Sequence, residues 1–192
     1  MNNNVQYRGY MNRFILLIIL ILPLSVKAQF QATYNGFRTS DNKEYLILEY
    51  KDVPIHKLYT LTMKWINRTQ YNPNIYTKNI EDETIYVHMG DTLKLPGLIK
   101  TIVRIDYGLN YEFKEGKVKL LPIIHTITTP TNIFFGFEGK KNNLANVVLF
   151  RPDGSCQGKN GKVFSEVLND WLNKLVNNYD IFMKSSGGED DW

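Results

Sequence analysis

Apolar residues recur at regular intervals along most of the chain, and their spacing predicts its elements. In "EYLILEYKDVP", Leu46, Leu48 and Tyr50 share one face of a predicted strand, while the residues between them form the other face. Helical spacing follows at i, i+3, i+4, i+7, i+10 and i+11, at Ile55, Leu58, Tyr59, Thr62, Trp65 and Ile66. This single apolar stripe predicts an amphipathic helix over residues 54–69, with Pro54 in its first turn.

Two hairpins are predicted after this helix. "NIYTKNI" and "TIYVHM" flank the tight acidic turn "EDE" (residues 81–83). A longer pair of strands then meets at "KEGK", where Gly116 supplies the positive φ that such a turn tends to need. Pro122 marks an edge or a bulge in the returning strand, because proline cannot donate to a central ladder.

The last third of the chain combines short apolar runs with a long helical pattern. The runs lie around Phe134 and Val148 and are separated by turn residues such as "RPDG". The final helix has apolar residues at Phe164, Val167, Leu168, Trp171, Leu172, Leu175, Tyr179 and Phe182. This order predicts an α+β fold: an antiparallel sheet with two amphipathic helices on one face, in the order β-α-β4-α, with extra strands before the C-terminal helix.

The first 28 residues have the pattern of a cleavable signal peptide. Arg8 and Arg13 precede the apolar run "FILLIILILPLSV", which at thirteen residues is shorter than the ~20 that a spanning helix needs. "VKAQ" then resembles a small-residue cleavage site, so we expect cleavage between Ala28 and Gln29. An uncleaved anchor helix is the alternative to cleavage. Translation could also start at Met11, because the segment from Met11 still has a short basic region before the apolar run.

The rest of the chain is expected to form one exported domain followed by a short tail. Residues 29–184 form one α+β domain, and the small, acidic "SSGGEDDW" after Lys184 forms a flexible tail over residues 185–192. Because no cysteine follows the apolar run, a lipoprotein is excluded, and the location expected is periplasmic or at the outer envelope. After removal of the leader, no segment spans a membrane.

The charge of the exported chain argues against a nucleic-acid partner. The leader carries three of the 23 basic residues and none of the 19 acidic ones, so residues 29–192 have a net charge of about +1. Binding to nucleic acid depends on neutralising phosphates, which needs a larger excess of basic residues. Lys114, Lys117 and Lys119 alternate with apolar residues, which is typical of a solvated strand face.

Residues with catalytic or metal-binding chemistry are sparse. His56, His88 and His125 lack partners at zinc-ligand spacing, so no metal site is predicted. Cys156, the single cysteine, lies in a turn without a visible base. We find no phosphate-binding, nucleotide or hydrolase motif, and therefore expect no catalytic residue and no cofactor.

The segment "NIFFGF" is apolar on both faces, which has two explanations. A strand buried on both sides is one, and a strand that lines a ligand pocket under the last helix is the other. In the second case the pocket would be lined by Phe135 and Phe137 from this strand and by Trp171 and Tyr179 from the helix.

Several segments of the chain resemble one known family. The segment "LILEYKDVPIHKLYTLTMKWINRTQYNPNIYTKNIEDETIYVHM", with Tyr59 and Trp65 as the best anchors, is similar to the opening of the domain of unknown function 4468, found in exported proteins of Bacteroidota. "YEFKEGKVKL" and "VLNDWLNKLVNNY" resemble its later strand pair and closing helix, whereas residues 126–162 match poorly. Asp82 and Glu83 replace a glycine common in its first hairpin. The resemblance implies a TBP-like β-α-β4-α architecture, without DNA binding or an activity to transfer.

Three functions follow as hypotheses. The first is a non-catalytic exported domain that binds an unknown protein or associates with the envelope. The second is a carrier of a small apolar ligand, and the third is a hydrolase that pairs His88 or His125 with Asp106. The helix at residues 54–69 is expected to bury Trp65 against its own sheet, the alternative being an exposed docking surface.

Overall fold

A computed structural model describes residues 29–69, 77–96, 101–131, 133–137 and 147–186, except for the side chains of Thr77 and Val147. The strands are β1 (Gln31–Thr33), β2 (Gly36–Arg38), β3 (Leu46–Glu49), β4 (Thr77–Ile80), β5 (Thr84–Leu95), β6 (Thr101–Lys114), β7 (Lys117–Thr128), β8 (Phe135–Gly136) and β9 (Val147–Val148). The helices are α1 (Ile55–Thr69) and α2 (Gly158–Ser186). The predicted signal peptide lies outside the described residues.

The main sheet has five strands in the order β3-β7-β6-β5-β4, and every neighbouring pair is antiparallel. Both predicted hairpins are present. Asp82 adopts a positive φ of 57° in the acidic turn, and Gly116 adopts 65° in the "KEGK" turn. Aspartate tolerates the left-handed region better than most residues, so the first hairpin turns without a glycine.

Both helices cover the same face of this sheet. Odd-numbered residues of β6, namely Val103, Ile105, Tyr107, Leu109, Tyr111 and Phe113, are buried on that face. Trp65 of α1 contacts Tyr111, and Trp171 of α2 contacts Tyr107. The predicted α+β fold is therefore confirmed. The stripe of α1 is also confirmed as core, because Trp65 is 3% exposed.

The stripe of α2 is rotated slightly from the predicted one. Val176 and Met183 are buried, whereas Leu175 and Phe182 pack at the margin of the core. The helix also extends through Ser186, two residues into the predicted tail, and the remainder of that tail lies outside the described residues.

Two small sheets accompany the main sheet, and the sequence analysis did not predict them in this form. β1 and β2 form an antiparallel hairpin, whereas β8 and β9 pair in parallel over two residues each. Asn169 and Asn173 of α2 hold the start of the hairpin. Asn169 accepts from the backbone of Ala32 at 2.6 Å, and Asn173 bonds the N–H and the C=O of Phe30, each at 2.8 Å.

Candidate binding site beside strand β7

Strand β7 has a neighbour on both sides for only part of its length. β3 pairs with β7 from Lys117 to Leu120 and then ends. Between Leu120 and the isolated bridge at Thr128, the side of β7 that faces away from β6 has no strand partner within the described ranges. Pro122 lies in this stretch, as expected for a proline confined to a sheet edge.

The direction of the backbone groups in this stretch follows from the strand pairing. Phe113 donates from its N–H to the carbonyl of Glu83, so odd-numbered residues of β6 direct their backbone groups toward β5. Ile124 lies opposite Tyr107, one of these odd-numbered residues. Because Tyr107 bonds away from β7, the N–H and C=O of Ile124 point away from β6, toward the unpaired side.

A cleft of about 500 Å³ lies along this unpaired side. Its lining comes from the β1–β2 hairpin and Glu44 (Asn35, Gly36, Phe37, Arg38, Glu44), from β7 (Leu121, Pro122, Ile123, Ile124, His125, Thr126, Ile127) and from the β8 segment (Phe135, Gly136, Phe137). We call this space the β7 cleft. It thus has strand residues on both sides and aromatic rings among its walls.

The aromatic wall is held by contacts that reach the core. Phe37 is 5% exposed and packs edge-on against Phe137, with ring centroids 5.5 Å apart. Phe137 stacks on Phe150 at 6.3 Å, and Phe135 meets Phe164 of α2 edge-on at 4.8 Å. The rings are therefore anchored from behind and present a formed surface to the cleft.

One ion pair lies at the rim of the cleft. Arg38 donates from Nη2 to Glu44 at 2.8 Å and from Nη1 to the carbonyl of Phe37 at 2.9 Å. The Arg38 side chain is 18% exposed and that of Glu44 is 62% exposed. The rim therefore offers one positive and one negative group, both accessible to a ligand that enters the cleft.

The four residues proposed to line a ligand pocket do not surround one cavity. Phe135 and Phe137 line the β7 cleft. Tyr179 is fully buried and hydrogen-bonded to Thr62 at 2.7 Å. Trp171 packs on Tyr107 at 4.8 Å, and its indole N–H donates to Asp91 at 2.9 Å. Trp171 and Tyr179 therefore belong to the packed interior between the helices and the main sheet, and they do not line the β7 cleft.

A second, smaller groove lies where the ligand-carrier hypothesis places a pocket, between the sheet and α2. Its volume is about 350 Å³, and β3 and α2 form its sides. Val176 and Asn177 lie on its helical side, and Leu46 and Leu48 on its strand side. None of the four proposed lining residues contributes to it.

The two histidines of the hydrolase hypothesis lie together on the open face of the sheet. The rings of His88 and His125 are 4.8 Å apart, and Nε2 of His125 lies 2.7 Å from the hydroxyl of Tyr86. Asp106 instead accepts a hydrogen bond from Thr126 at 2.8 Å. Partial burial, and next the neighbouring His88, lower the pKa of His125, while Asp106 opposes this shift. The acid therefore does not orient either imidazole as a catalytic pair requires.

The other chemical candidates are also isolated. Among the described residues, no group of three or more His, Cys, Asp or Glu side chains could hold a metal ion. The Cys156 thiol lies 3.6 Å from the hydroxyl of Ser165, and the thiol is free. His56 contacts the carboxylate of Asp82 at 3.0 Å, which fastens the start of α1 to the first hairpin. No helix within the described ranges is long and apolar enough to cross a membrane.

Sequence reasoning missed the hairpin wall of the cleft. Phe37 and Arg38 belong to a strand of three residues, which is too short for a reliable alternation signal. The only signal was "YNGF", in which Asn35 and Gly36 stand between two apolar residues. Pro122 did indicate the strand edge, although the β-bulge itself lies at His125.

Comparison with known proteins finds similarity only in the fold. No protein-family model matches this chain, and no curated protein matches its sequence. The fold is similar to the crystal structure of a DUF4468 family protein from Bacteroides ovatus, with a TM-score of 0.58, 11% identity and coverage of 77% of this chain and 86% of that chain. It is also similar to a TBP-like protein from Parabacteroides distasonis, with a TM-score of 0.50, 11% identity and coverage of 73% and 90%, respectively.

These two structures confirm the fold that the sequence resemblance implied. At 11% identity, the likeness extends to the path of the backbone and not to particular side chains. The two structures therefore give no information about the side chains that line the β7 cleft.

Proposed function

We propose that this chain is an exported, non-catalytic binding domain and that the β7 cleft is its ligand site. The observation that carries the proposal is a formed cleft of about 500 Å³ whose lining combines aromatic rings with polar side chains. Ligand sites have volumes of about 300–1,000 Å³, so the cleft has the size expected of a ligand site. The alternative, a small-ligand carrier with its pocket between sheet and α2, would use the 350 Å³ groove instead.

The leader pattern supports export, and the packing of Phe30 is compatible with the predicted cleavage point. Phe30 is 1% exposed, and its backbone is bonded to Asn173. Cleavage between Ala28 and Gln29 would leave this contact intact. We expect the protein recovered from the envelope fraction to begin at Gln29 in mass spectrometry. An intact leader on protein that remains in the cytosol would contradict export.

The ligand site is tested with an apolar fluorescent dye, 8-anilinonaphthalene-1-sulfonate, and two matched variants of the exported protein. Asn35 and Asn177 are both exposed, and each lies beside one of the two cavities. Asn35→Trp places a large ring over the β7 cleft, whereas Asn177→Trp places one over the groove between β3 and α2. Neither change removes a core side chain.

We expect Asn35→Trp to weaken dye binding about tenfold, which corresponds to about 1.4 kcal/mol, because the added ring obstructs the cleft. Asn177→Trp should leave the affinity unchanged, and a thermal melt of each variant establishes that it is folded. The reverse ranking would transfer the proposal to the second groove. Absence of saturable dye binding would contradict a preformed apolar site.

A further inference from the structure

We propose that the occupant of the β7 cleft is an extended peptide segment that pairs with β7 as an added strand. This inference rests on the proposed function and names the class of its ligand. The peptide would lie beyond the end of β3, along the stretch from Leu121 to His125, before β8 comes alongside β7, and would continue the main sheet on the same side of β7.

Unpaired backbone groups are the first reason. The N–H and C=O of Ile124 point into the side of β7 that lacks a strand partner among the described residues, and the carbonyl of Pro122 points the same way. The backbone of another extended chain carries C=O and N–H groups at a matching spacing, so it can form hydrogen bonds with these unpaired groups. Recognition of a peptide by strand addition uses such an edge, with main-chain hydrogen bonds giving affinity.

The second reason is the wall across the cleft. An added strand would lie about 4.8 Å from β7. The hairpin and the β8 segment close the far side of the cleft. The edge of a whole second sheet would have to displace this wall, which is fastened to α2 through Ala32 and Phe30. A single peptide strand is therefore favoured over pairing between two copies of this chain.

The lining also specifies a pattern of side chains. The ring centroids of Phe37 and Trp171 are 6.5 Å apart. Because Trp171 belongs to α2, the aromatic wall lies toward the face of the sheet that the helices cover. His125 bonds Tyr86 on the opposite, open face. Because successive side chains of a strand point to opposite faces, every second peptide residue should be apolar and the others polar. At about 3.3 Å per residue, the five residues from Leu121 to His125 span ~16 Å.

The experiment begins with a random nine-residue peptide library displayed on phage and selected on the exported protein. Asn35→Trp protein serves for counter-selection, so that peptides bound elsewhere are removed. A selected peptide is synthesised, its Kd is measured by calorimetry, and backbone amide hydrogen exchange of the protein is followed by NMR with and without the peptide.

We expect saturating peptide to slow amide exchange of Ile124 at least about tenfold, because its N–H gains a main-chain acceptor. Exchange at Ile123 should change little, since it lies opposite Gly108 and its N–H faces β6 already. N-methylation of the peptide at the alternate positions that face β7 should weaken binding at least about tenfold, and N-methylation at the intervening positions should have much less effect.

Three outcomes would overturn the inference. Peptide binding without protection of Ile124 would mean that side chains alone make the contact. Equal effects of N-methylation at all positions would exclude a strand register. Failure to enrich any peptide over the counter-selection would exclude this ligand class. In each case the dye experiment decides separately whether the β7 cleft is a binding site.

Discussion

The hydroxyl of Tyr179 lies 2.7 Å from the hydroxyl of Thr62, and this buried hydrogen bond joins the two helices above the sheet. Thr62 also donates to the carbonyl of Leu58 at 2.8 Å, so the Tyr179 hydroxyl is the donor in the bond between the helices. Nearby, the ring of Tyr111 lies 5.2 Å from that of Tyr179, but its buried hydroxyl has no hydrogen-bond partner among the described residues.

Removal of these two hydroxyls should have different effects on the free energy of unfolding. Tyr179→Phe breaks a satisfied buried hydrogen bond, so the free energy of unfolding should fall by about 1 kcal/mol. Tyr111→Phe removes a buried group that lacks a partner, so stability should stay equal or rise by up to about 1 kcal/mol. Urea denaturation of both variants measures the difference. A larger loss for Tyr111→Phe than for Tyr179→Phe would contradict the hydrogen-bond assignment.

Truncation of Trp65 should destabilise the domain strongly. Its ring packs edge-on against Tyr179 at 5.2 Å and against Tyr111 at 6.4 Å, and it is 3% exposed. Trp65→Ala should lower the free energy of unfolding by roughly 3–5 kcal/mol, because it removes a large buried aromatic side chain and leaves a cavity. Ile181 of α2 is 55% exposed, and Ile181→Ala is the matched surface control. A Trp65→Ala melting temperature within two degrees or so of wild type would contradict the core assignment.

The stability of the domain should depend on the protonation of His125. Burial, then the nearby His88, hold its pKa below the ordinary value, so the folded protein binds fewer protons here than the unfolded chain. The resulting stabilisation is complete above the unfolded-state pKa of about 6.5 and is lost as the pH falls through the folded-state pKa.

Thermal melts at pH 7.5 and pH 5 should therefore show a smaller drop for His125→Gln than for wild type. The groups facing His125 on the open face are Tyr86, His88 and Asp106. His88→Gln is the companion variant, and it should raise the pKa of His125 in an NMR titration. Equal drops in wild type and His125→Gln would show that His125 does not contribute.

A substitution at Gly108 should disturb the same cluster without touching it directly. The ring of Tyr86 lies across Gly108, and a Cβ there would come within 2.5 Å of the Tyr86 hydroxyl. Gly108→Ala should therefore displace the ring, separate its hydroxyl from His125 and shift the NMR signals of the His125 imidazole. The same substitution in a Tyr86→Ala background should leave those signals nearly unchanged. Equal shifts in both backgrounds would exclude this mechanism.

The sequence was sufficient for elements whose periodicity is long or whose turns are tight. The stripe around Trp65, the turns at residues 81–83 and 114–117, and the final helix are local patterns with a direct physical cause. A helix with one apolar stripe must bury it, and consecutive hairpins make an antiparallel sheet. The placement of both helices on one face therefore followed from the order of the elements.

The sequence did not determine what lies beside β7. Pro122 indicated a strand edge. The cleft also requires that β3 ends opposite Leu120 and that the β1–β2 hairpin, through Phe37, forms the opposite side of the cleft. These segments are up to about ninety residues apart, and the hairpin strands have three residues each. Their positions depend on Asn169 and Asn173 of α2, more than 130 residues away.

The tertiary structure also separated residues that the ligand-pocket hypothesis had grouped. Phe135 and Phe137 line the β7 cleft, while Tyr179 is sealed in the core and Trp171 is fixed by Asp91. Aromatic residues on one helical stripe look equivalent in sequence, because periodicity reports only which face is apolar. Whether that face meets a sheet, a ring or an open cleft is decided by the elements packed against it, and the sequence carries no local signal for those long-range contacts.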